Sequence, residues 1–277
     1  MRKKKYLKSL GETESRLLSV LSAQDKTIFT VEDAQEVLKS SIVAIRSIIN
    51  YLVKKKWLIR LTPGKYLIVP LSAGEKAEYS ENWYVIAKSL IEPLPYYISH
   101  YSALEIHDMT IQPVYAVYIS TPNRKRPKEI LGTTYQFVYG PPKDIDWGIE
   151  DVWVTPSQKV RVSDLERTII DCLNRPDLCG GVSEVAKGIW AKRNDIDYQK
   201  LVGHAGRLNR KSVAKRLGFL LEVYGIVRQE VLSKLKDMVS PSYALLDPTL
   251  EDSGRYVSSW KLRINLDPEE LIEITRT

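Results

Sequence analysis

Between residues 42 and 56 the apolar side chains recur at the spacing of an amphipathic helix, which constrains the fold of the N-terminal part more than any other feature. Successive helical residues advance by about 100° around the axis. The face predicted to pack on a core comprises Ile42, Ile45, Ile48, Ile49, Leu52 and Val53. The opposite face, which is predicted to point outward, carries Val43, Ser47, Asn50 and Lys54.

Two further helices are predicted before this one, and a hairpin is predicted after it. Apolar periodicity predicts a first helix that ends near Ala23 and a second over about 31–39, with Thr30 as its N-cap and Asp33 as the acidic partner. Two strand-like runs then flank Pro63-Gly64, as in a β-hairpin. Three helices followed by a hairpin predict a winged helix-turn-helix domain over residues 1–72.

Residues 1–70 are also strongly basic, with 14 Lys and Arg against 6 Asp and Glu, whereas the whole chain of 277 residues has a formal charge of only +7. Such a cationic module typically binds a polyanion, although winged helices also serve protein–protein contacts. On the third helix, Asn50 can pair with a base edge and Lys54 can reach a phosphate. The residues predicted to bind double-stranded DNA are Ser41, Val43, Arg46, Ser47, Asn50, Lys54, Arg60 and Lys65.

The remainder of the chain mixes strands and helices without strict alternation. Residues 72–78 interrupt the apolar pattern, and a helical pattern resumes from Trp83 to Ile91, before Pro93. Residues 73–92 as a whole are predicted to be a connector, and residues 93–277 are predicted to form an α+β domain. The overall fold class is therefore α+β, with an N-terminal winged helix-turn-helix domain followed by a larger mixed α/β domain. A basic loop with Arg124, Lys125 and Arg126 connects two predicted strands at 114–119 and 134–139.

A helix is predicted to follow Ser163, because residues 163–166 read as a capping box in which Glu166 caps the helix start. Arg167 and Asp171 are four residues apart, as in an ordinary surface ion pair. Asp164, Glu166 and Asp171 could alternatively bind a metal in a nuclease, which keeps a metal-dependent nuclease open as an alternative function.

Composition and motifs argue against several other classes. No apolar run is long enough to span a membrane, and the basic N-terminus is not followed by an apolar signal segment. Cys172 and Cys179 are too few for a disulfide framework, so we expect reduced thiols and a cytoplasmic location. A zinc site with His100 and His107 is disfavoured by the Cys-x₆-Cys spacing. Phosphate-binding, zinc-protease and serine-hydrolase motifs are absent from the sequence, so we expect no catalytic residues, no metal and no cofactor.

Three short segments, in this order, resemble the AbiEi family of antitoxins, which are the transcription-regulating halves of abortive-infection toxin–antitoxin pairs. They are residues 60–66, residues 162–173 with Gly180-Gly181, and residues 215–222. The resemblance implies an N-terminal domain that binds inverted repeats in its own promoter as a repressor. It also implies a C-terminal domain that neutralises a toxin similar to nucleotidyltransferases.

On that reading, the expected toxin-contact residues are Arg124, Lys125 and Arg126 in the basic loop, together with Lys215 and Arg216 on a later helix. The alternative is a plain winged-helix transcription factor whose C-terminal domain senses a ligand. The sequence predicts neither the operator nor the oligomeric state.

Overall fold

The structure, a computed structural model, describes residues 10–69, 82–113 and 115–273. These residues mix helices and strands in an α+β arrangement. The chain divides into two compact units, residues 1–92 with 129–132, and residues 93–128 with 133–277. Residues 73–81 of the predicted connector lie outside the described residues, whereas its remaining part contains a helix.

Up to residue 92, the first unit contains four described helices and three short strands. They are α1 (Glu12–Ala23), β1 (Ile28–Thr30), α2 (Val31–Leu38), α3 (Ile42–Lys54), β2 (Leu58–Thr62), β3 (Lys65–Ile68) and α4 (Trp83–Ile91). The strands form an antiparallel sheet in the order β1-β3-β2. The helices and hairpin predicted for this part of the chain therefore occur within a few residues of their expected positions.

Local sequence explains where α2 and α3 begin. Thr30 accepts a hydrogen bond from the Asp33 N–H at 3.2 Å, and Asp33 accepts one from the Thr30 N–H at 2.8 Å, which completes a capping box. Ser41 caps α3 through the Ala44 N–H. The buried side chains of α3 are Ile45, Ile49 and Leu52. Ile42, which the periodicity places on the core face, is 40% exposed and is the first residue of the helix, one turn before Ile45.

The second unit begins with a mixed sheet. Its elements are β4 (Tyr97–Ile98), α5 (His100–Ile106), β5 (Ala116–Thr121), β7 (Thr133–Tyr139), β8 (Ile149–Thr155) and β9 (Gln158–Ser163). The short strand β6 (Lys128–Ile130) falls mostly within residues 129–132, which belong to the first unit. Five strands lie in the order β7-β5-β4-β9-β8. The β5–β7 and β4–β9 pairs are parallel, and the β4–β5 and β8–β9 pairs are antiparallel.

Helices make up most of the rest of this unit. They are α6 (Leu165–Asn174), α7 (Val182–Ala191), α8 (Tyr198–Leu208), α9 (Lys211–Tyr224), α10 (Gln229–Lys236) and α11 (Pro268–Glu273), with 3₁₀ turns at Pro142–Asp144 and Pro176–Leu178. A small sheet has the order β10-β12-β11, formed by β10 (Ala244–Leu245), β11 (Arg255–Val257) and β12 (Leu262–Ile264).

Helix α6 is the central helix of the unit, since it packs against α5, α7, α8 and α9. Every residue from 166 to 173 is buried. The predicted capping box at residues 163–166 is wrong, because Asp164 is the N-cap and accepts from the Arg167 N–H at 2.7 Å. Glu166 instead accepts from the Asp197 N–H and pairs with Lys200 at 2.8 Å.

Candidate functional site

The outward face of α3 is exposed over the length of the helix. Val43 is 75% exposed despite its apolar side chain. The remaining exposed residues of this face are Ser41, Arg46, Ser47, Asn50 and Lys54. Within the described part of the chain, no hydrogen bond or ion pair engages the Arg46, Asn50 or Lys54 side chains, so these polar groups are available to a partner.

Helix α3 and the β2–β3 hairpin together line a groove of about 330 Å³. Its lining residues are Val31, Arg46, Asn50, Arg60, Pro63, Gly64 and Tyr66. No carboxylate is among them, and the two charged residues are both arginines. The turn of the hairpin depends on Gly64, whose φ of +84° lies in the region that favours glycine. The groove therefore combines two positive charges with the Asn50 amide, which can donate and accept hydrogen bonds.

Lys65 differs from the other cationic residues predicted to bind DNA, because its ammonium group has partners inside the unit. Its Nζ donates to the carbonyl oxygens of Ser89 and Glu92, at 3.1 and 3.2 Å. These carbonyls belong to the C-terminal end of α4, where a cation is favourable. Lys65 thus links the hairpin to α4, and its ammonium group is partly neutralised by these carbonyl oxygens.

The residues expected to contact a toxin fall into two groups. Arg124, Lys125 and Arg126 are exposed in the loop after β5. The Arg124 guanidinium lies 4.7 Å from the centre of the Tyr139 ring. Lys215 and Arg216 do not fit the expectation, since they are only 1% and 5% exposed.

The two buried cations of α9 bind backbone carbonyls instead of a partner. Lys215 donates to the carbonyl of Ser242. Arg216 donates to the carbonyl of Leu246 at 2.9 Å and to that of Leu173 at 2.7 Å. Burial lowers the pKa of both side chains. These residues hold α9 to neighbouring segments and are inaccessible to a toxin.

A buried polar cluster surrounds Arg167, which the sequence pattern placed at the surface. Arg167 and Asp171 are 2.7 Å apart, and their side chains are only 2% and 6% exposed. Tyr97 donates to Asp171 at 2.8 Å and accepts from Arg167 at 3.1 Å. Burial raises the pKa of the Tyr97 hydroxyl above its usual value. The Arg167 guanidinium also stacks 3.4 Å from the centre of the Trp147 ring.

This cluster forms one side of a cavity of about 440 Å³ within the second unit. Polar and charged lining residues are Tyr97, His100, Ser120, Tyr139, Asp144, Arg167, Asp171, Asn174, Arg175, Arg210 and Ser212. Sequence reasoning missed the cavity, since its residues come from strands, loops and helices far apart in the chain. The one available signal was an Arg–Asp pair in a helix that also carries Leu165, Ile169, Ile170, Cys172 and Leu173.

The cysteines and histidines that could be imagined as a zinc site do not form one. Cys172 and Cys179 are free and fully buried, and burial raises the pKa of the Cys179 thiol. Within the described ranges, no group of three or more His, Cys, Asp or Glu side chains is arranged to hold a metal ion. Among the same residues, no helix has the length and apolar character needed to cross a membrane.

Comparison with known proteins gives a fold and no family. No family model and no curated protein matches the chain. Among solved structures, the crystal structure of the RV2827C protein from Mycobacterium tuberculosis is similar, with a TM-score of 0.73 and 15% sequence identity. The match covers 97% of this chain and 96% of that one. At this identity the likeness shows that the two chains share a fold.

Proposed function

We propose that the first unit is a winged helix-turn-helix that binds double-stranded promoter DNA, with α3 in the major groove and the β2–β3 hairpin against the backbone. The observation that carries this proposal is the exposed, unpartnered face of α3. Small side chains at its start allow close approach, Asn50 can form a bidentate contact with adenine, and Lys54 reaches phosphate.

The groove between α3 and the hairpin supports the same geometry. Arg46 from α3 and Arg60 from β2 both line it, with no carboxylate in its lining. Two guanidinium groups facing the same groove suit the phosphates that border a major groove. Lys65 is a weaker phosphate ligand in this proposal, because the α4 carbonyls already hold it.

Fluorescence anisotropy on DNA from upstream of the gene, compared with random DNA of equal length, tests the proposal. Lys54→Ala should weaken binding to both DNAs and reduce the magnitude of the salt slope by about 0.9. Asn50→Ala should lower the preference for promoter DNA by about 1–3 kcal/mol. Lys143→Ala, an exposed cation of the second unit, is the control and should change neither quantity.

Two results would contradict the assignment. The first is an Asn50→Ala variant that retains the full ratio between promoter and random DNA. The second is a salt slope that Lys54→Ala and Lys143→Ala affect equally, because then the charge on α3 makes no particular contribution.

We further propose that the second unit counteracts a nucleotidyltransferase-like toxin, so that the protein is an autorepressing antitoxin. This proposal rests on the resemblance to AbiEi antitoxins. The basic loop is the accessible part of the residues expected to contact a toxin, since Arg124 and Arg126 are exposed while Lys215 and Arg216 are buried.

Co-expression with the product of the neighbouring gene tests the second proposal. Where that product arrests growth, the full chain should restore growth, and replacement of residues 124–126 by alanine should abolish the rescue. Lys143→Ala, which removes one exposed charge elsewhere in the same unit, should leave rescue intact. Rescue that survives the triple alanine variant would exclude the loop as the contact surface.

A further inference from the structure

The cavity of the second unit contains polar groups that the protein itself leaves without partners. His100 is only 4% exposed and lines the cavity. Its Nδ1 lies 2.8 Å from the Ser99 hydroxyl, whereas no hydrogen bond engages Nε2 among the described residues. Arg167 also lines the cavity, and its buried Nη1 has no hydrogen-bond partner among the same residues. Buried polar atoms almost always find partners, so this nitrogen at the cavity indicates a missing ligand or water.

The conformation of His100 is also uncommon. Its φ is +53°, a left-handed value that non-glycine residues adopt at a cost. Burial lowers the pKa of its imidazole to about 4, so the ring is neutral at neutral pH. A neutral imidazole can form a hydrogen bond with a ligand without adding a charge to the cavity.

Three arginines (Arg167, Arg175 and Arg210) and two carboxylates (Asp144 and Asp171) line the cavity. Asp171 pairs with Arg167, and Asp177, which does not line the cavity, pairs with Arg175 at 2.7 Å. The Arg210 guanidinium is exposed and has no ion pair or hydrogen bond within the described residues. A single available guanidinium suits a monoanion better than a doubly charged phosphate.

The backbone at the start of α9, where Arg210 lies, also favours an anion. Arg210 is the N-cap residue of α9, a helix of 14 residues, and its side chain forms no capping hydrogen bond. Ser212, in the first turn, also lines the cavity. The positive end of the helix dipole and the guanidinium therefore act on the same region.

We infer that this cavity binds a small organic monocarboxylate, with the carboxylate on Arg210 and a polar group of the ligand on His100 Nε2. A guanidinium matches a carboxylate in geometry through two parallel hydrogen bonds. The rest of the lining suits an organic body, because Val138, Pro141, Leu208 and the Tyr139 ring are among the walls. The volume of about 440 Å³ lies within the range of small-molecule sites.

Fluorine NMR with 4-fluorobenzoate as the probe tests this inference on the full chain. The probe signal should broaden and shift saturably as protein is added. The neutral analogue 4-fluorobenzamide should bind at least about tenfold more weakly, because it lacks the charge-assisted pair with Arg210. Inorganic phosphate should compete poorly.

Arg210→Gln should weaken 4-fluorobenzoate binding about tenfold, with circular dichroism confirming the fold. Arg228→Gln is the matched control: Arg228 is the N-cap of α10, also makes no capping hydrogen bond, and does not line the cavity. His100→Asn should also weaken binding, and Asn tolerates the left-handed backbone.

The inference is overturned by three outcomes: no saturable binding of 4-fluorobenzoate, equal binding of the amide, or equal losses in Arg210→Gln and Arg228→Gln. If inorganic phosphate displaces the probe as strongly as unlabelled benzoate does, a site specific for a monocarboxylate is also excluded. If Arg210→Gln does not fold, the comparison of acid and amide on the unaltered chain decides the question.

Discussion

The buried ion pair between Arg167 and Asp171 allows a direct test of how the second unit keeps charge inside its core. Asp171→Ala removes the carboxylate that accepts from Arg167 Nε at 2.7 Å and from the Tyr97 hydroxyl at 2.8 Å. The guanidinium then stays buried with Nε unpaired, in addition to Nη1, which already lacks a partner among the described residues. Breaking a buried ion pair in this way costs about 3–5 kcal/mol.

Asp177→Ala is the matched control. Arg175 and Asp177 also lie 2.7 Å apart, but both side chains are 48% exposed. An exposed pair contributes about 0–1 kcal/mol. Both variants remove a carboxylate from an ion pair of 2.7 Å, but only Asp171→Ala deprives buried partners, the Arg167 guanidinium and the Tyr97 hydroxyl, of their acceptor. We expect at least about 2 kcal/mol between them.

Urea unfolding followed by circular dichroism measures both variants, with the slope of the transition checked for constancy. A double variant, Arg167→Met with Asp171→Leu, should recover most of the loss, since it leaves no unpaired charge behind. If Asp171→Ala and Asp177→Ala unfold at the same urea concentration, the reasoning is refuted, because the buried guanidinium does not then depend on its carboxylate.

Two further predictions follow from the helical part of the second unit. Burial raises the pKa of the Asp164 carboxyl, but a hydrogen bond from His204 and one from the backbone of α6 outweigh this and lower it to about 2. The carboxylate therefore stabilises the fold above its unfolded pKa of about 4, and this stabilisation is lost as the pH falls toward 2. Asp164→Asn should flatten the free energy of unfolding across that pH range, and urea titrations that show an unchanged pH dependence would contradict this. Gly218→Ala should lower the free energy of unfolding by about 1–3 kcal/mol, measured by calorimetry, because the added Cβ overlaps the Trp260 ring. Gly203→Ala is the control: its added Cβ meets open space on α8, so the variant should be neutral or stabilising. Equal effects of the two variants would argue against close packing at Trp260.

The helices and the hairpin of the first unit could be predicted from local sequence, because their signals are local, whereas the three-residue strand β1 was not predicted. The periodicity that identifies α3 relates apolar residues no more than four positions apart. The capping box of α2 joins Thr30 and Asp33, which are three positions apart. The role of Lys65 could not be predicted in the same way. Its carbonyl partners, Ser89 and Glu92, lie 24 and 27 residues further along the chain, and a charge count does not reveal them.

The second unit was harder to predict, because burial there depends on packing between distant segments. Arg167 and Asp171 have the spacing of a surface pair, and only the helices packed around α6 place them in the interior. The strands β11 and β12 are separated by a segment that contains the fully buried Trp260. The Trp260 side chain packs against α9, where its Nε1 donates to Glu222 at 2.7 Å, and no local pattern in the sequence reveals this contact.

Two of the segments that carry the AbiEi resemblance meet in the interior of the second unit. Arg216, from residues 215–222, donates to the carbonyl of Leu173, the last residue of the segment 162–173, at 2.7 Å. Arg216 also binds the carbonyl of Leu246, so one guanidinium joins α6, α9 and the segment after β10. Side chains with such positions determine how the unit folds. Arg216 is therefore engaged inside the unit, and the proposed recognition of a toxin must be tested on exposed residues such as Arg124 and Arg126.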